Sequence, residues 1–174
     1  GYDLPLTEKL PLFDAANLFV LNSGTIVYQV SQSGNRFGAK VVKAHFPDWN
    51  VVVLEGVYYG AHIDTTVLPL SRDKMMFNEA FLSLAQMQRI FGPYGYDKRD
   101  SFIGIDPGTD FVQVDAPYLP TSSQAIAFNV LQVSPRVVIV EERQTRIAAK
   151  LRAHGFEVVM MPLPYGQDFN GGFQ

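Results

Sequence analysis

The chain reads as an α/β fold assembled from about three ββαβ modules, and three recurring features carry that reading. One twelve-residue outline appears at Asn17-Leu-Phe-Val-Leu-Asn-Ser-Gly-Thr-Ile-Val-Tyr28, at Thr66-Val-Leu-Pro-Leu-Ser-Arg-Asp-Lys-Met-Met-Phe77 and at Asn129-Val-Leu-Gln-Val-Ser-Pro-Arg-Val-Val-Ile-Val140. Each copy sets two β-rich runs around a turn. Each is followed by a stretch with helical spacing and then by a short apolar run suited to a buried strand.

In the first module, at about residues 12–55, the hairpin turns at Asn22-Ser-Gly24. Ser33 is a candidate helix cap, Phe37, Val41, Ala44 and His45 share one helical face, and Pro47 closes the helix. Val51 to Leu54 then forms the strand. The second module, at about 62–115, turns near Ser71 to Asp73, with a helix near 79–91 ending at Gly92-Pro93. A loop of about twenty residues leads to a strand over Phe111 to Val114. The third module, at about 125–162, turns at Ser134-Pro135 and continues with a helix over 142–154. Ile147, Ala148 and Leu151 face inward there, Gly155 lies just past the end, and Val158 to Met161 supplies the strand. Such a unit buries too little alone, so neighbouring modules must share a core. The expectation is one domain over residues 1–174, an incomplete set of modules with edges to cover.

Composition narrows the function. With 47% hydrophobic and 18% charged residues among 174, the chain is suited to a packed core rather than to disorder. A net charge of -3 and scattered Lys and Arg exclude a basic stripe, so neither nucleic acid nor an anionic membrane is an expected partner. Lys98-Arg99-Asp100 and Arg72-Asp73-Lys74 read as solvated loop tips. No apolar run approaches the ~20 residues of a membrane span, and Gly1-Tyr-Asp-Leu-Pro5 has no signal-peptide character, which points to the cytoplasm. Gly1 reads as a scar of tag removal. There is no cysteine, and only His45, His62 and His154 among histidines, so no disulfide, metal or other cofactor is expected.

The chemistry-bearing residues lie where the chain leads into the hairpins. Leu12-Phe-Asp-Ala-Ala16 precedes the first, His62-Ile-Asp-Thr65 the second and Ala125-Ile-Ala-Phe128 the third. In a radial array these segments converge, bringing Asp14 together with His62 and Asp64. An imidazole and two carboxylates suit proton transfer on a cationic substrate: one carboxylate orients the ring, and the other pairs with a planar cation such as guanidinium. On spacing alone a plainer reading stands beside this one, with His62 and Asp64 in a strand-end hydrogen-bonding arrangement and Asp14 as a turn residue. Asn17 and Asn129 occupy matching positions and read as structural. Asp106, Asp110 and Asp115 surround a Pro-Gly turn and read as metal-free.

Several segments, taken in order, add a resemblance. Pro11-Leu-Phe-Asp-Ala-Ala-Asn17, Ser31-Gln-Ser-Gly-Asn35 with Gly38-Ala39, Gly56-Val-Tyr58 with His62-Ile-Asp-Thr-Thr66, and Asn170-Gly-Gly-Phe173 resemble the amidinotransferase family. That family includes glycine amidinotransferase and the bacterial inosamine-phosphate amidinotransferases. The similarity covers nearly the whole chain but only the later part of the family's length. It implies a pentein-like α/β-propeller of ββαβ modules, here a partial one. It also implies transfer of an amidino group from arginine to an acceptor amine through an amidino-cysteine intermediate. Asp14 and His62 then take the places of two catalytic-triad members, and Asp64 that of a guanidinium-binding carboxylate.

Departures accompany the matches. Gln174 takes the linking place before the family's nucleophilic Cys, which is expected just after Gln174. Glu79-Ala-Phe81 stands where the family often has an Arg for a substrate carboxylate, and Ala127 where it often has a Ser. The expectation is a parent enzyme that uses arginine and an amine acceptor, and a chain inactive by itself. A guanidino hydrolase or deiminase of the same fold, and a non-catalytic interaction protein that lost the nucleophile, are the alternatives. Exposed module edges are expected to make it a homo-oligomer.

Overall fold

Each of the three sequence repeats folds into its own three-stranded sheet, in which the first two strands run antiparallel and the third returns parallel to the second. The antiparallel pairs need only a tight turn, whereas each parallel pair needs a crossover, and a helix supplies it. The computed structural model describes residues 10–57, 62–112, 127–164, 166 and 173. The chain divides into two compact units, Gly1–Thr66 and Val67–Gln174.

The first unit contains β1 (Leu18–Asn22), β2 (Thr25–Gln29), helix α1 (Arg36–His45) and β3 (Asn50–Leu54). Gly24 closes the hairpin with φ of 109°, a backbone region that other residues adopt only at a cost. Tyr28 and Ile26 on β2 pack with Ala39 and Val42 on α1, and Leu18, Trp49 and Val51 border the cluster. Two expectations need correction here. The helix is capped by Asn35 and not by Ser33, because the Asn35 side chain accepts from the Gly38 amide. The buried face is Gly38, Ala39 and Val42, while Ala44 and His45 are exposed. The reason is steric: a Cβ on Gly38 would lie 2.1 Å from the Leu12 carbonyl oxygen, so the small residues turn inward, against the chain that precedes the hairpin.

The second unit holds two modules. Its first is β4 (Val67–Pro69), β5 (Met75–Asn78), α2 (Leu84–Phe91) and β6 (Phe102–Ile105), followed by the short helix α3 (Pro107–Asp110). Its second is β7 (Leu131–Ser134), β8 (Val137–Glu141), α4 (Thr145–Ala153) and β9 (Glu157–Met161). Helix α2 starts at a reciprocal cap, with the Ser83 hydroxyl accepting from the Gln86 amide and the Gln86 side chain accepting from the Ser83 amide. It starts later than expected because Asn78 first closes a turn by accepting from the Ala80 amide. Helix α4 likewise starts at Thr145, since Glu141 holds Arg143 in the preceding turn.

The main correction concerns the third strand of the middle module, which is Phe102–Ile105 rather than Phe111 to Val114. Gly104 interrupts the apolar run and hides the strand from a sequence reading, and the Glu79 side chain occupies the space that a side chain at 104 would take. A Cβ at 104 would lie 2.1 Å from a carboxyl oxygen of Glu79. Phe111 follows α3 instead and is buried in the core, while residues 113 and 114 lie outside the described residues.

The two modules of this unit share one core. Leu68, Met76, Ile103 and Ile105 on the β4–β6 sheet pack with Val138, Val140, Ile147 and Leu151 of the following module. Along β9 the residues alternate: Val158 and Met160 pack on this core, whereas Val159 and Met161 on the other face stay 39% and 40% exposed.

Candidate active site

The site begins with a strap of chain pinned by Asn35. The Asn35 side-chain oxygen accepts from the Leu12 amide at 3.0 Å and its side-chain amide donates to the Leu10 carbonyl at 2.9 Å. The Asn35 backbone amide donates to the Leu12 carbonyl at 3.0 Å, and the Tyr28 hydroxyl donates to the same oxygen at 3.2 Å. Phe13 stacks on Tyr28 with ring centroids 6.4 Å apart. This fixes the backbone immediately ahead of Asp14.

Asp14 then caps a single 3₁₀ turn, Ala15–Asn17, its Oδ1 accepting from the Ala16 amide at 3.0 Å. The cap uses one carboxylate oxygen. The other, Oδ2, lies 3.2 Å from His62 Nε2. His62 in turn stands at the start of a second 3₁₀ turn, Ile63–Thr65, and the Thr65 hydroxyl donates to the His62 carbonyl at 2.8 Å. Two hairpin lead-ins, some fifty positions apart in sequence, thus meet through these two side chains. Each is 42% exposed, so both can meet a small molecule from solvent.

The 3.2 Å approach sets Nε2 toward the Asp14 carboxylate and leaves Nδ1 as the ring nitrogen outside that pair. Asp64 is more enclosed. Burial pushes its proton affinity above that of an ordinary carboxyl, while the His62 imidazole, followed by the backbone amides of Asp64 and Thr65, opposes the rise. A carboxylate under this desolvation gains most from a cation that brings its own hydrogen-bond donors.

The remaining sequence candidates divide cleanly. Asn17 is buried and structural: its side chain donates to the Ser33 hydroxyl at 2.9 Å and accepts from the Ser31 hydroxyl at 3.1 Å. Asp106 caps α3 by accepting from the Gly108 amide, and Asp110 accepts from the Asp106 amide and from Lys150 Nζ at 2.5 Å. Ala127 is buried in the core of the second unit. Tyr58, Asp115, Ala125, Ile126, the run Asn170 to Gly172 and Gln174 lie outside the described residues. Among the described residues no group of three or more His, Asp or Glu is placed to hold a metal ion. What the sequence reading missed is the clamp formed by Asn35, Tyr28 and Gly38. Its trace is the Asn-x-x-Gly spacing at 35 to 38, a cap whose own helix must leave room for a carbonyl.

No protein-family model matches the chain. It is 31% identical over 170 residues to an inosamine-phosphate amidinotransferase of Streptomyces glaucescens, an alignment that takes in 97% of this chain and 46% of that protein. Among solved structures it is similar to SxtG, an amidinotransferase of Microseira wollei from the saxitoxin biosynthetic pathway, with a TM-score of 0.80 and 26% identity over 96% of this chain and 47% of the other. The N-terminal domain of ArgZ, a cyanobacterial arginine dihydrolase, shares the fold at a TM-score of 0.67 with 17% identity, over 95% of this chain and 55% of that one. The fold is therefore that of the pentein-like α/β-propellers, represented here by three ββαβ modules. The chain spans about half the length of the curated relatives it matches, and over that length it is similar to members of the amidinotransferase family.

Proposed function

We propose that this chain carries the acid–base and guanidinium-binding part of an enzyme that moves an amidino group from arginine to an acceptor amine. The supporting observation is the 3.2 Å approach of Asp14 to His62, with the desolvated Asp64 two residues further on. Asp14 holds the imidazole and stabilises its cation, and Asp64 pairs with the guanidinium of the donor.

In the proposed reaction a cysteine thiolate attacks the guanidinium carbon, the bond from that carbon to the ornithine nitrogen breaks, and His62 delivers a proton to the departing amine. The amidino group is then bound to sulfur. His62 next takes a proton from the acceptor amine as its nitrogen attacks the same carbon, and the thiolate leaves. Protons and charge balance over the cycle. The chain contains no cysteine, so the nucleophile is proposed at the position after Gln174 in the complete gene, and the chain alone is proposed to be inactive. The absent cysteine is also what a non-catalytic interaction protein would have. Arginine binding that is lost in Asp64→Ala while the fold persists, with another residue or a stop after Gln174, would favour that second reading.

The complete enzyme, incubated with isotope-labelled arginine and a panel of amines, is expected to yield ornithine and an amidinated amine in equal amounts. Ammonia or urea released with no amidinated amine would overturn transfer in favour of hydrolysis. No helix among the described residues is long and apolar enough to cross a membrane, and a cytoplasmic location belongs to the same proposal. So does self-association, motivated by the exposed Val159 and Met161 face. Light scattering of Val159→Lys, compared with the unaltered chain, is expected to show the smaller species, and a monomer at all concentrations before the substitution would refute association.

A further inference from the structure

The segment Arg72-Asp73-Lys74, which reads in sequence as a solvated loop tip, lines a cleft of about 300 Å³ in the second unit. The β4–β5 turn forms one side, Arg136 from the β7–β8 turn another, and His154 and Gly155 at the end of α4 a third. We propose that this cleft binds a phosphoryl dianion, free or as the head of a phosphomonoester.

Charge and bonding capacity carry the proposal. Lys74 is already engaged: its Nζ donates to the Asp100 carbonyl at 2.7 Å and to the Asp100 carboxylate at 3.1 Å, and only 16% of its side chain is exposed. Asp73 is engaged as well, accepting from the Ser71 hydroxyl at 2.8 Å. Arg72 and Arg136 are the unspent cations, since neither guanidinium makes a hydrogen bond or ion pair with any described residue. Counting Arg72, Lys74 and Arg136 against Asp73 and Asp100 leaves one net positive charge, in a chain whose net charge is -3.

Gly155, with φ of +87°, ends the helix beside Arg136, whose Nη1 would lie 3.8 Å from a Cβ placed there, an ordinary contact distance. His154 adds a neutral donor: burial, then the nearby Lys74, hold its proton affinity below the ordinary imidazole value, with Asp100 opposing and Lys150 reinforcing. Two planar guanidiniums and an imidazole N–H offer more donors than a planar carboxylate has oxygens to accept them. A tetrahedral dianion uses them fully. The cluster is a single pocket and not a stripe, so it suits one phosphoryl group and not a nucleic-acid backbone.

The test is a titration of the isotope-labelled chain with inorganic phosphate and, separately, phenyl phosphate, at ionic strength held constant with sodium chloride. The His154 ring and the arginine Nε–H signals are followed by NMR. Saturable shifts are expected, with the titration of His154 moving to higher pH in the bound form. Tighter binding of phenyl phosphate would assign the site to phosphomonoesters, and equal or weaker binding to free phosphate. Arg72→Gln with Arg136→Gln is expected to weaken binding at least about tenfold, the scale of a lost charge-assisted contact, while His62→Gln leaves it unchanged. Each single replacement removes an exposed side chain with no bonded partner among the described residues, so R72Q and R136Q alone provide folded controls. Shifts that never saturate, or that survive the double substitution, would overturn the proposal.

Discussion

The lead-in strap of the first unit and the shared core of the second are held by different forces. Around Asp14 the chain is fixed largely by polar contacts: Asn35 satisfies the amide and carbonyl of Leu12 and the carbonyl of Leu10 while also capping α1, and the Tyr28 hydroxyl adds a bond to the Leu12 carbonyl. Around Ile103 and Ile105 it is fixed chiefly by apolar burial between two sheets and a helix. Hydrogen bonds have direction and place Asp14 at a defined point with its carboxylate still in solvent. Apolar burial has no direction and, for the same burial, could not leave a carboxylate accessible. The region proposed to carry chemistry is the one in which polar groups define position.

Truncation of the apolar core should produce the largest loss. Ile103 is 1% exposed, and Ile103→Ala is expected to destabilise the chain by about 2–5 kcal/mol through lost burial and the cavity left behind. Val159, which aligns with Ile103 in the next module, is 39% exposed, and Val159→Ala should cost less than about 1 kcal/mol. Urea denaturation of the two variants would measure the contrast. Equal losses would mean that the open face is covered in solution.

The polar clamp is tested by the residue that leaves room for it. In Gly38→Ala the new methyl meets a backbone carbonyl that Asn35 and Tyr28 hold in place, and such overpacking costs about 1–3 kcal/mol. The loss should be accompanied by a changed environment at His62, since moving Leu12 moves Asp14. An unaltered His62 NMR signal in a destabilised Gly38→Ala chain would separate the clamp from the site.

The same contrast explains how much of the structure is legible in the sequence. The hairpins are legible because both their signals, β-rich runs and turn residues such as Asn22-Ser-Gly24, are local. Helix α4 is legible for the same reason, as Ile147, Ala148 and Leu151 repeat with helical spacing and Gly155 ends the run. β6 is not legible, because Gly104 answers to the Glu79 side chain, 25 positions earlier in sequence, and a neighbour of that kind leaves no periodic trace. The inward face of α1 escapes for a like reason, being set by the Leu12 carbonyl. As for the site, the equivalence of the lead-ins points to Asp14 and His62, and the contact between them is seen only in the fold. The clamp behind Asp14 depends on the partners of one asparagine and cannot be inferred from pattern.

Asp64 should show the opposite sign. Its proton is held more tightly in the folded chain than at the ordinary value of 3.8, so between that value and its raised folded value the folded state binds more protons than the unfolded one. Stability from this group is therefore greatest at low pH and falls as pH rises through that window. Asp64→Asn removes the desolvated charge and is expected to stabilise the chain near neutral pH by about 1 kcal/mol, the scale for a polar group buried at a cost. Thermal melts should show the gain shrinking as the pH is lowered and the unaltered Asp64 becomes protonated. A loss of stability at neutral pH would mean that hydrogen bonds to the carboxylate outweigh its burial.

The Asp14–His62 contact should matter least for stability. Both side chains are 42% exposed, and a pair so solvated is worth less than about 1 kcal/mol, so Asp14→Asn should leave the urea midpoint nearly unchanged. The asparagine oxygen can still cap the Ala15–Asn17 turn, which removes the other source of loss. What the substitution takes away is the carboxylate charge facing His62, to which the proposed mechanism gives the orienting role. In the complete enzyme this is expected to lower turnover by about 10³-fold or more. A large fall in activity with the fold intact would establish that the polar strap exists to aim a carboxylate. A large fall in stability with little effect on activity would make Asp14 a turn residue after all.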